Sequence, residues 1–386
     1  MLSLAQAQAK LIAMVSKTPI ENVNVDGALG RCLADNVHAR RTQPPADLSA
    51  MDGYAIAGDG PWRRVGESRA GAPYPSPLQT GECVRISTGA HMPTGSDRVL
   101  IQENAEVDGT SICSETIPPA NRHVRVRGFD FVGGDKLLEA GTKIGPAQVA
   151  LVLSAGHASI PVYRPPSVAI LDSGDELCAD PTLCGADQIP ASNGAMIASM
   201  LAPFGCPISR LGPVPDDRDK LAHALAASET SDILITSGGA SVGDHDLIQQ
   251  SLRDWGAELT FWKVAIKPGK PLMVARRGEQ IILGLPGNPV SSFVTSFLFA
   301  LPLIRASMGD RNPLPNALRL NAGEDFETGG TREEFLRGFH DGVQVRRAGS
   351  QDSSALHALS ASNCLIRRPA GAGAVAFGEP ISIFAT

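Results

Sequence analysis

A repeated pattern of apolar strand, polar or glycine-rich turn and helix begins after Pro165 and Pro166, and it constrains the fold more than any other feature. Apolar strands are predicted at 167–171, 232–236 and 280–283, and helices at 195–201, 220–227 and after Pro289. Strands that alternate with helices build a parallel sheet covered on both faces. The pattern predicts a doubly wound α/β domain over residues 166–308, whose ligands would bind beyond the carboxyl ends of the strands.

The rest of the chain is predicted to be rich in β-structure. Short strands and turns with frequent Gly and Pro fill residues 47–135, which favours a small β-rich domain. This domain is inserted into an elongated N-terminal α+β domain made of 1–46 and 136–165. Residues 309–386 return to short strands and are expected to form a β-barrel-like C-terminal domain. A chain of 386 residues is too long for one compact core, in agreement with several domains.

Composition and charge exclude several classes of function. The net charge is −6 and Lys and Arg form no block, so we expect no nucleic-acid partner. The seven cysteines include no C-x-x-C pair, which favours reduced structural thiols over a zinc or redox centre. Ser3 and Gln6 predict a capping box on an amphipathic helix, not a signal peptide. Polar residues and Pro302 interrupt the most apolar segment, 290–304, so we expect no membrane span and a cytoplasmic protein.

The first candidate site is the glycine-rich loop that follows the strand at 232–236. Its residues Ser237, Gly238, Gly239, Ser241 and Gly243 would let backbone N–H groups point at an anion. A tight strand-to-helix turn without a ligand is the alternative for a lone Gly-Gly pair. Carboxylates at the end of the loop, Asp246 among them, are oxygen ligands of the kind that Mg²⁺ prefers.

Two further groups favour an anion site over a bare turn. Lys263, Lys267 and Lys270 lie within a proline-containing stretch flanked by apolar residues, where their ammonium groups can neutralise an oxyanion. An exposed basic loop is the alternative interpretation. The turn Pro286, Gly287, Asn288, Pro289 follows another buried strand and precedes a helix, which gives a second set of N–H groups.

Acidic residues follow other predicted strands of the same sheet. Glu176 lies just after the strand at 167–171, and Asp216 follows the apolar segment 208–214. Either residue alone is more often a helix cap than a metal ligand. Their shared position after apolar strands favours a metal site. In the N-terminal half, Asp52, Thr88 and Asp130 lie in stretches that composition alone cannot distinguish from ordinary turns.

Taken in order, these segments resemble the molybdopterin molybdenumtransferase family, to which the C-terminal part of gephyrin also belongs. The matching segments are 49–55 (SAMDGYA), 88–90 (TGA), 127–130 (RGFD), 173–177 (SGDEL), 237–243 (SGGASVG), 263–271 (KVAIKPGKP) and 284–289 (GLPGNP). The likeness extends to 331–337 and 360–366, so it covers nearly the whole chain.

The resemblance implies a homodimer of four-domain subunits, in which the α/β domain of one subunit faces the N-terminal and β domains of the other. It implies insertion of molybdenum from molybdate, the co-substrate, into the dithiolene of adenylylated molybdopterin, with Mg²⁺ and release of AMP. Transient contact with the molybdopterin adenylyltransferase is also implied. This chemistry agrees with the patterns, because a pyrophosphate needs N–H donors and Mg²⁺ and molybdate needs cationic donors.

The resemblance also assigns roles to individual positions. It gives catalytic roles to Asp52, Thr88, Asp130, Lys263 and Lys267, of which the first three would come from the facing subunit. Metal binding falls on Glu176, Asp216 and Asp246. Substrate and nucleotide binding falls on Ser237, Gly238, Gly239, Ser241, Gly243, Lys270, Pro286, Gly287, Asn288 and Pro289.

Two positions depart from the family pattern, and two other functions stay open. Ala191 stands where the family usually has Asp or Asn, and Asp172 stands where Ser or Thr is common in front of Ser173. A molybdopterin adenylyltransferase has a similar α/β fold but lacks the flanking β units. A non-catalytic scaffold would not need the carboxylates and lysines. The sequence leaves molybdate and tungstate open, since both are tetrahedral dianions of nearly equal size.

Overall fold

The structure is a computed structural model that describes residues 1–238 and 247–386. The part before residue 166 contains two helices and twelve short strands. In chain order these are α1 (Leu4–Ala13), β1 (Ile20–Asn24), β2 (Val37–His38), β3 (Leu48–Ser49), β4 (Gly53–Ile56), β5 (Trp62–Ser68), β6 (Glu82–Ile86), β7 (Arg98–Ile101), β8 (Glu106–Asp108), β9 (Ser111–Cys113), β10 (Val124–Arg125), β11 (Lys136–Leu138), α2 (Pro146–Ser154) and β12 (Ser159–Tyr163). Short 3₁₀ turns occupy Val25–Ala28 and Gln102–Asn104.

A six-stranded sheet, ordered β7-β4-β6-β5-β9-β8, forms the inserted β-rich unit. Its apolar side chains, such as Ala55, Val84 and Val99, are buried between the sheet and its connecting turns. Three antiparallel pairings join the chain before this sheet to the chain after it: β3 with β10, β2 with β11 and β1 with β12. The N-terminal unit is therefore built from residues on both sides of the inserted sheet.

The central part of the chain alternates strands and helices. Its elements are β13 (Val168–Ser173), β14 (Leu177–Cys178), β15 (Ile189–Pro190), α3 (Asn193–Leu201), β16 (Ile208–Val214), α4 (Arg218–Ala227), β17 (Ile233–Ser237), α5 (Leu247–Asp254), β18 (Glu258–Trp262), β19 (Ile266–Lys267), β20 (Met273–Arg277), β21 (Gln280–Leu285), α6 (Pro289–Thr295) and α7 (Leu301–Ser307). A 3₁₀ turn at Ala202–Phe204 follows α3, and a π-helical turn at Ser296–Ala300 joins α6 to α7.

The main sheet of this unit has the order β16-β13-β17-β21-β20-β18. Its first four strands are parallel, and β20 and β18 continue it antiparallel. One face packs on α1, α3, α6 and α7, and the other packs on α4 and α5. Strands β13, β17 and β21 are buried along their whole length, as expected for strands covered on both sides. The predicted doubly wound α/β fold is confirmed.

Two helices complete one face of this sheet. The predicted capping box of α1 is present, because Ser3 and Gln6 each bond the other's backbone N–H. Leu4 and Leu11 of α1 are buried in the α/β core, although in sequence α1 lies within the predicted N-terminal domain, 1–46. The polar residues and Pro302 predicted an interrupted apolar segment. The stretch Pro289–Ser307 is instead 19 residues of continuous helix. It alone among the described residues has the length and mean hydropathy, 1.5, of a membrane span, and 83% of it is buried as a core helix.

The C-terminal part forms a closed barrel. Its elements are β22 (Leu318–Ala322), β23 (Glu333–His340), β24 (Gln344–Arg347), α8 (Leu356–Ser360), β25 (Cys364–Arg368) and β26 (Pro380–Ala385). Strands pair in the order β23-β24-β22-β26-β25, and β25 closes the ring on β23. Strand β19 of the α/β unit adds to β23 in parallel, so the barrel is joined to the lysine-containing segment by backbone hydrogen bonds. The predicted barrel-like fold is confirmed, and the exact domain boundaries stay predictions.

Candidate functional site

Two glycine turns lie against each other at the carboxyl ends of β17 and β21. Ser237 and Leu285 are paired in register, and the N–H of Gly238 donates to the carbonyl of Leu285 at 3.2 Å. A Cβ on Gly287 would lie 3.7 Å from the Cα of Gly238. Gly238 has a φ of 101°, and a Cβ there would come within 2.7 Å of the Ser173 carbonyl oxygen. Only glycine fits this close approach of three strand ends.

A cleft opens over these turns at the edge where the parallel strands end. Ser173, Glu176, Ser192, Gly238 and Pro289 are among its lining residues, from the ends of β13 and β17, the start of α3 and the start of α6. This is the crevice in which doubly wound sheets bind ligands. Ala191, one of the two departures from the family pattern, also lines it.

Four of the predicted binding and metal residues lie outside the described part of the chain. These are Gly239, Ser241, Gly243 and Asp246. Of the neighbouring loop residues, Ser237 is buried at the end of β17 and Gly238 lines the cleft.

Two of the predicted metal ligands lie near each other: Glu176 lines the cleft, and Asp216 lies beside it, outside the lining. Burial, together with the charges of Asp175 and Glu176, raises the pKa of Asp216. The Asp175 carboxylate also accepts the backbone N–H of Asp216 at 3.0 Å. Within the described ranges no three His, Cys, Asp or Glu side chains come close enough to hold a metal ion by themselves. The local charge is negative and its donors are carboxylate oxygens, the type that Mg²⁺ prefers.

The other departure, Asp172, proves to be a buried carboxylate in the wall of the cleft. It is 3% exposed at the end of β13, where it accepts the backbone N–H of Gly194 in the first turn of α3. A Cβ on Gly194 would overlap the Asp172 carboxylate, so this contact also requires glycine. Burial raises the pKa of Asp172 to about 6, although Arg210 and the Gly194 N–H both act to lower it.

A second cavity, which we call the basic cavity, lies between the α/β unit and the barrel. Its volume is about 360 Å³, and it is lined by Lys267, Pro268, Gly269, Lys270, Pro271, Ser291, Arg332, Phe335, Leu336, Arg337, Gln351, Asp352 and Ser353. Four of these residues are cationic and one is acidic. The volume is in the range of small-molecule sites, and the excess of positive charge favours an anion.

Arg337 is the least exposed cation of the basic cavity. It is 1% exposed, and its Nη2 donates to the backbone carbonyls of Ser350 and Asp352, each at 3.0 Å. Its Nε is buried with no hydrogen-bond partner among the described residues. Burial lowers the pKa of Arg337 and Asp352 opposes this, but a guanidinium keeps its proton in a protein. A buried cation with an unpaired donor destabilises the fold unless another interaction compensates for its desolvation.

The structure divides the three predicted lysines between two places. Lys267 and Lys270 line the basic cavity, and Lys267 Nζ lies 3.1 Å from Glu334 Oε1 of the barrel. Lys263 does not line either cavity in the described structure; its Nζ lies 4.4 Å from the centre of the Trp262 ring. Lys263 also has a φ of 71°, which is rare for a residue with a side chain.

The turn between β21 and α6 connects the two cavities. On one side, Asn193 Nδ2 donates to the carbonyl of Gly287 at 2.7 Å, within the cleft. On the other side, Asn288 Nδ2 donates to Ser353 Oγ at 3.1 Å, at the wall of the basic cavity. Pro286, one of the predicted substrate-binding residues, lies within this turn. The start of α6 therefore borders both cavities, since Pro289 lines the cleft and Ser291 lines the basic cavity.

Asp52, Thr88 and Asp130 lie on the inserted β unit and line neither cavity. Asp52 Oδ1 accepts the Thr88 backbone N–H at 2.8 Å and its hydroxyl at 3.3 Å, so these two residues form one exposed cluster. The backbone N–H of Asp130 donates to the Gln43 carbonyl at 3.0 Å, and its side chain is exposed. Their predicted catalytic roles need a facing surface from outside this chain.

The sequence analysis did not select Ser291, Arg332, Arg337 or Ser353, which also line the basic cavity. A signal for Arg337 was present in the strand pattern. Side chains two positions apart on a strand share a face, and Phe335 is a core residue, so Arg337 had to point inward as well. An inward arginine without an obvious acidic partner is a candidate anion ligand.

Comparisons with known proteins agree with this fold along the whole chain. Residues 2–156 match the family described as the MoeA N-terminal region, domains I and II. Residues 169–306 match a probable molybdopterin binding domain, and residues 319–385 match the MoeA C-terminal region, domain IV.

Full-length relatives and solved structures extend this agreement. A molybdopterin molybdenumtransferase of Haemophilus influenzae is 34% identical, over 99% of this chain and 98% of its own. One from a Nostoc species is 32% identical, over 95% of this chain and 89% of its own. A crystal structure titled as a molybdopterin biosynthesis MoeA protein from Pyrococcus horikoshii covers all of both chains with a TM-score of 0.87 at 24% identity, which supports the fold. The chain belongs to the molybdopterin molybdenumtransferase family.

Proposed function

We propose that this chain is a molybdopterin molybdenumtransferase, which inserts molybdenum from molybdate into adenylylated molybdopterin and releases AMP. The names of its full-length relatives support this function. The observation that carries it is the pair of neighbouring cavities: a cleft over two glycine turns and a basic cavity, which both border the start of α6 at Pro289 and Ser291. A nucleotide-linked substrate and an oxyanion can thus be held next to each other.

The basic cavity is the proposed molybdate site. Lys267, Lys270, Arg332 and Arg337 can donate charge-assisted hydrogen bonds to the four oxygens of a tetrahedral dianion. The hydroxyls of Ser291 and Ser353 are further donors in the lining. In the reaction, two S–H bonds of the dithiol break, two Mo–S bonds form, and one oxide leaves with both protons as water. The cations hold the anion in place and balance its charge.

The cleft is the proposed site of the adenylylated pterin. Ser237, Gly238 and Gly287 line the cleft, and the absence of side chains at the two glycines lets the phosphates approach the backbone closely. We propose that Glu176 and Asp216, with the predicted Asp246, hold Mg²⁺ there. When bound, Mg²⁺ would neutralise the pyrophosphate and polarise it for attack by water, which breaks the phosphoanhydride bond and releases AMP. Two or three carboxylates suffice, since Mg²⁺ keeps several of its waters.

We further propose a homodimer in which Asp52, Thr88 and Asp130 of one subunit face the cleft of the other. Their exposure and their separation from both cavities support this arrangement. We also propose a cytoplasmic location, and transient contact with the adenylyltransferase because the proposed substrate arrives already adenylylated.

The test combines molybdate binding with turnover. Isothermal titration with molybdate is compared for the parent protein, Lys267→Ala and Arg337→Met, with Lys220→Ala on α4 as a control outside both cavities. Removal of one charge-assisted donor is expected to weaken molybdate binding about tenfold or more. Circular dichroism checks the fold of each variant, and exposed Lys267 provides the variant that should fold normally.

Turnover is measured as AMP released from adenylylated molybdopterin with molybdate and Mg²⁺. The parent and Lys220→Ala should release AMP, and Lys267→Ala should be slower at low molybdate and partly restored at high molybdate. Absence of AMP release from folded parent protein would exclude the proposed function. Equal molybdate affinity in Lys267→Ala, Arg337→Met and the control would exclude the basic cavity as the molybdate site.

A further inference from the structure

The segment from β14 to β15 forms the outer wall of the cleft and carries two cysteines whose thiols meet. Cys178 Sγ donates to the carbonyl of Asp180 at 3.1 Å, and Cys184 Sγ donates to the same oxygen at 3.7 Å. Desolvation and the neighbouring Cys178 raise the pKa of Cys184, in agreement with the two thiols lying close together. Both are free and only partly buried. Two thiols converge on one carbonyl oxygen at a surface that small molecules can reach.

The backbone of this segment keeps the two thiols together. The Leu183 N–H donates to the Asp180 carbonyl at 3.0 Å, which closes a tight turn. The Asp180 carboxylate accepts the backbone N–H of Thr182 at 2.9 Å and its hydroxyl at 2.7 Å. This turn brings Cys184 back toward Cys178, so little chain entropy remains to be lost when the sulfurs are joined.

We propose that Cys178 and Cys184 form a reversible intramolecular disulfide in the wall of the cleft. The oxidant is a low-molecular-weight disulfide such as glutathione disulfide. One protein thiolate attacks it to form a mixed disulfide and releases one glutathione thiolate. The second protein thiolate then attacks the protein sulfur of the mixed disulfide and releases the other glutathione. Two thiols become one disulfide, one glutathione disulfide becomes two glutathiones, and two protons pass to solvent or to glutathione.

Four of the five other cysteines are less suited to this exchange. Cys32, Cys83 and Cys364 are buried in the cores of three different units. Burial and the nearby Asp232 raise the pKa of Cys206 to about 12. Desolvation and the neighbouring Cys178 raise the pKa of Cys184 as well, so exchange should quicken as the pH rises above 8.

The disulfide would act directly on the wall of the cleft. The Cys178 carbonyl accepts the N–H of Ala191 at 2.9 Å, and the Glu176 carbonyl accepts the N–H of Ile189 at 2.8 Å. Cys178 is thus fixed to the strand that lines the cleft, two residues from Glu176. A link to Cys184 would tie the exposed turn to this fixed point, so oxidation should protect the segment from proteolysis.

The test exposes the full-length protein to glutathione disulfide at pH 8.5 and then blocks free thiols with iodoacetamide. Asp-N cleaves before Asp175, Asp180 and Asp187, so Cys178 and Cys184 fall in separate peptides, DELCA and DPTLCGA. The expected result is one cross-linked pair of these peptides, lost on reduction, and a fall of two in free thiols per chain. Cys206→Ser is the matched control and should behave like the parent.

The variants Cys178→Ser and Cys184→Ser give the decisive comparison. Each should lose the cross-linked peptide pair, and the remaining cysteine should hold at most one glutathione. Limited proteolysis at 179–188 should slow at least several-fold in the oxidised parent and stay unchanged in both variants. A link from either cysteine to Cys113 or to a second chain, or seven free thiols after treatment, would overturn the proposal. It does not depend on the proposed function.

Discussion

Replacement of Asp172 with Asn is expected to stabilise the protein above pH 4, because ionisation of the buried Asp172 carboxyl lowers the stability of the parent there. Asp172 is 3% exposed, and burial raises its pKa from 3.8 to about 6. The folded state therefore holds the proton more tightly than the unfolded state does. Stability falls as the pH rises from about 4 to about 6, and the full penalty is present above pH 6. The shift corresponds to roughly 3 kcal/mol of unfolding free energy.

The neighbours of Asp172 explain why the penalty is not compensated. Arg210 Nη2 lies 3.9 Å from the Asp172 carboxylate, but its side chain is 48% exposed and well solvated. The Gly194 N–H favours the charged form, yet a neutral Asn oxygen can accept the same bond. Asp172→Asn should therefore match the parent near pH 4 and exceed its stability at pH 7.5 by up to about 3 kcal/mol.

The assay is urea denaturation from pH 4 to 8 in a Trp62→Phe background. Trp62 is the tryptophan of the inserted unit, and the remaining Trp255 and Trp262 both report on the α/β unit. Asp232→Asn is a control of opposite sign: burial raises the pKa of Asp232, but its bonds to Arg164 and Ser167 leave it lowered. Its carboxylate stabilises the fold over the whole pH range of the assay, because that benefit is lost only as the pH falls below 4. A gap between Asp172→Asn and the parent that stays constant with pH would refute the argument.

Three further substitutions test the contacts around the cleft and α1. Gly194→Ala should cost about 1–3 kcal/mol of stability because its methyl overlaps the Asp172 carboxylate; the cost should shrink by at least about 1 kcal/mol when Asp172→Ser is added, in a double-mutant cycle. Asn193→Ala removes the bond to the Gly287 carbonyl and should cost about 1 kcal/mol; AMP binding, measured by titration, should weaken, and unchanged affinity would separate this turn from the nucleotide site. Ser3→Ala removes the α1 cap and should cost about 1 kcal/mol, detected as faster hydrogen exchange at Gln6.

The parts of the fold that sequence predicted well are those fixed by local pattern. Strands β13, β17 and β21 are apolar runs bounded by glycine or polar turns, and burial on both faces requires that composition. The capping box of α1 is equally local. Where a side chain packs is a different question. Amphipathicity predicted that α1 would bury one face, but only tertiary structure shows that Leu4 and Leu11 enter the α/β core.

The same distinction between local pattern and tertiary packing applies to the candidate site. The turns after β17 and β21 were predicted to share an edge, because parallel strands place their carboxyl ends together. Asp172, by contrast, was visible in the sequence only as a departure from a family pattern. Its importance comes from burial and from the start of α3, which lies over it, and neither is encoded near residue 172.

The basic cavity shows most clearly why part of a site escapes sequence analysis. Lys267 and Arg337 are 70 positions apart, and their proximity depends on the parallel pairing of β19 with β23. A two-residue strand such as β19 is too short to show periodicity, so the sequence does not predict the pairing that joins the two units. Once it forms, Glu334 lies opposite Lys267, and Arg337 follows three residues later on the same strand. The pairing thus brings a cation from the barrel to the proposed anion site, which the α/β unit alone would leave incomplete.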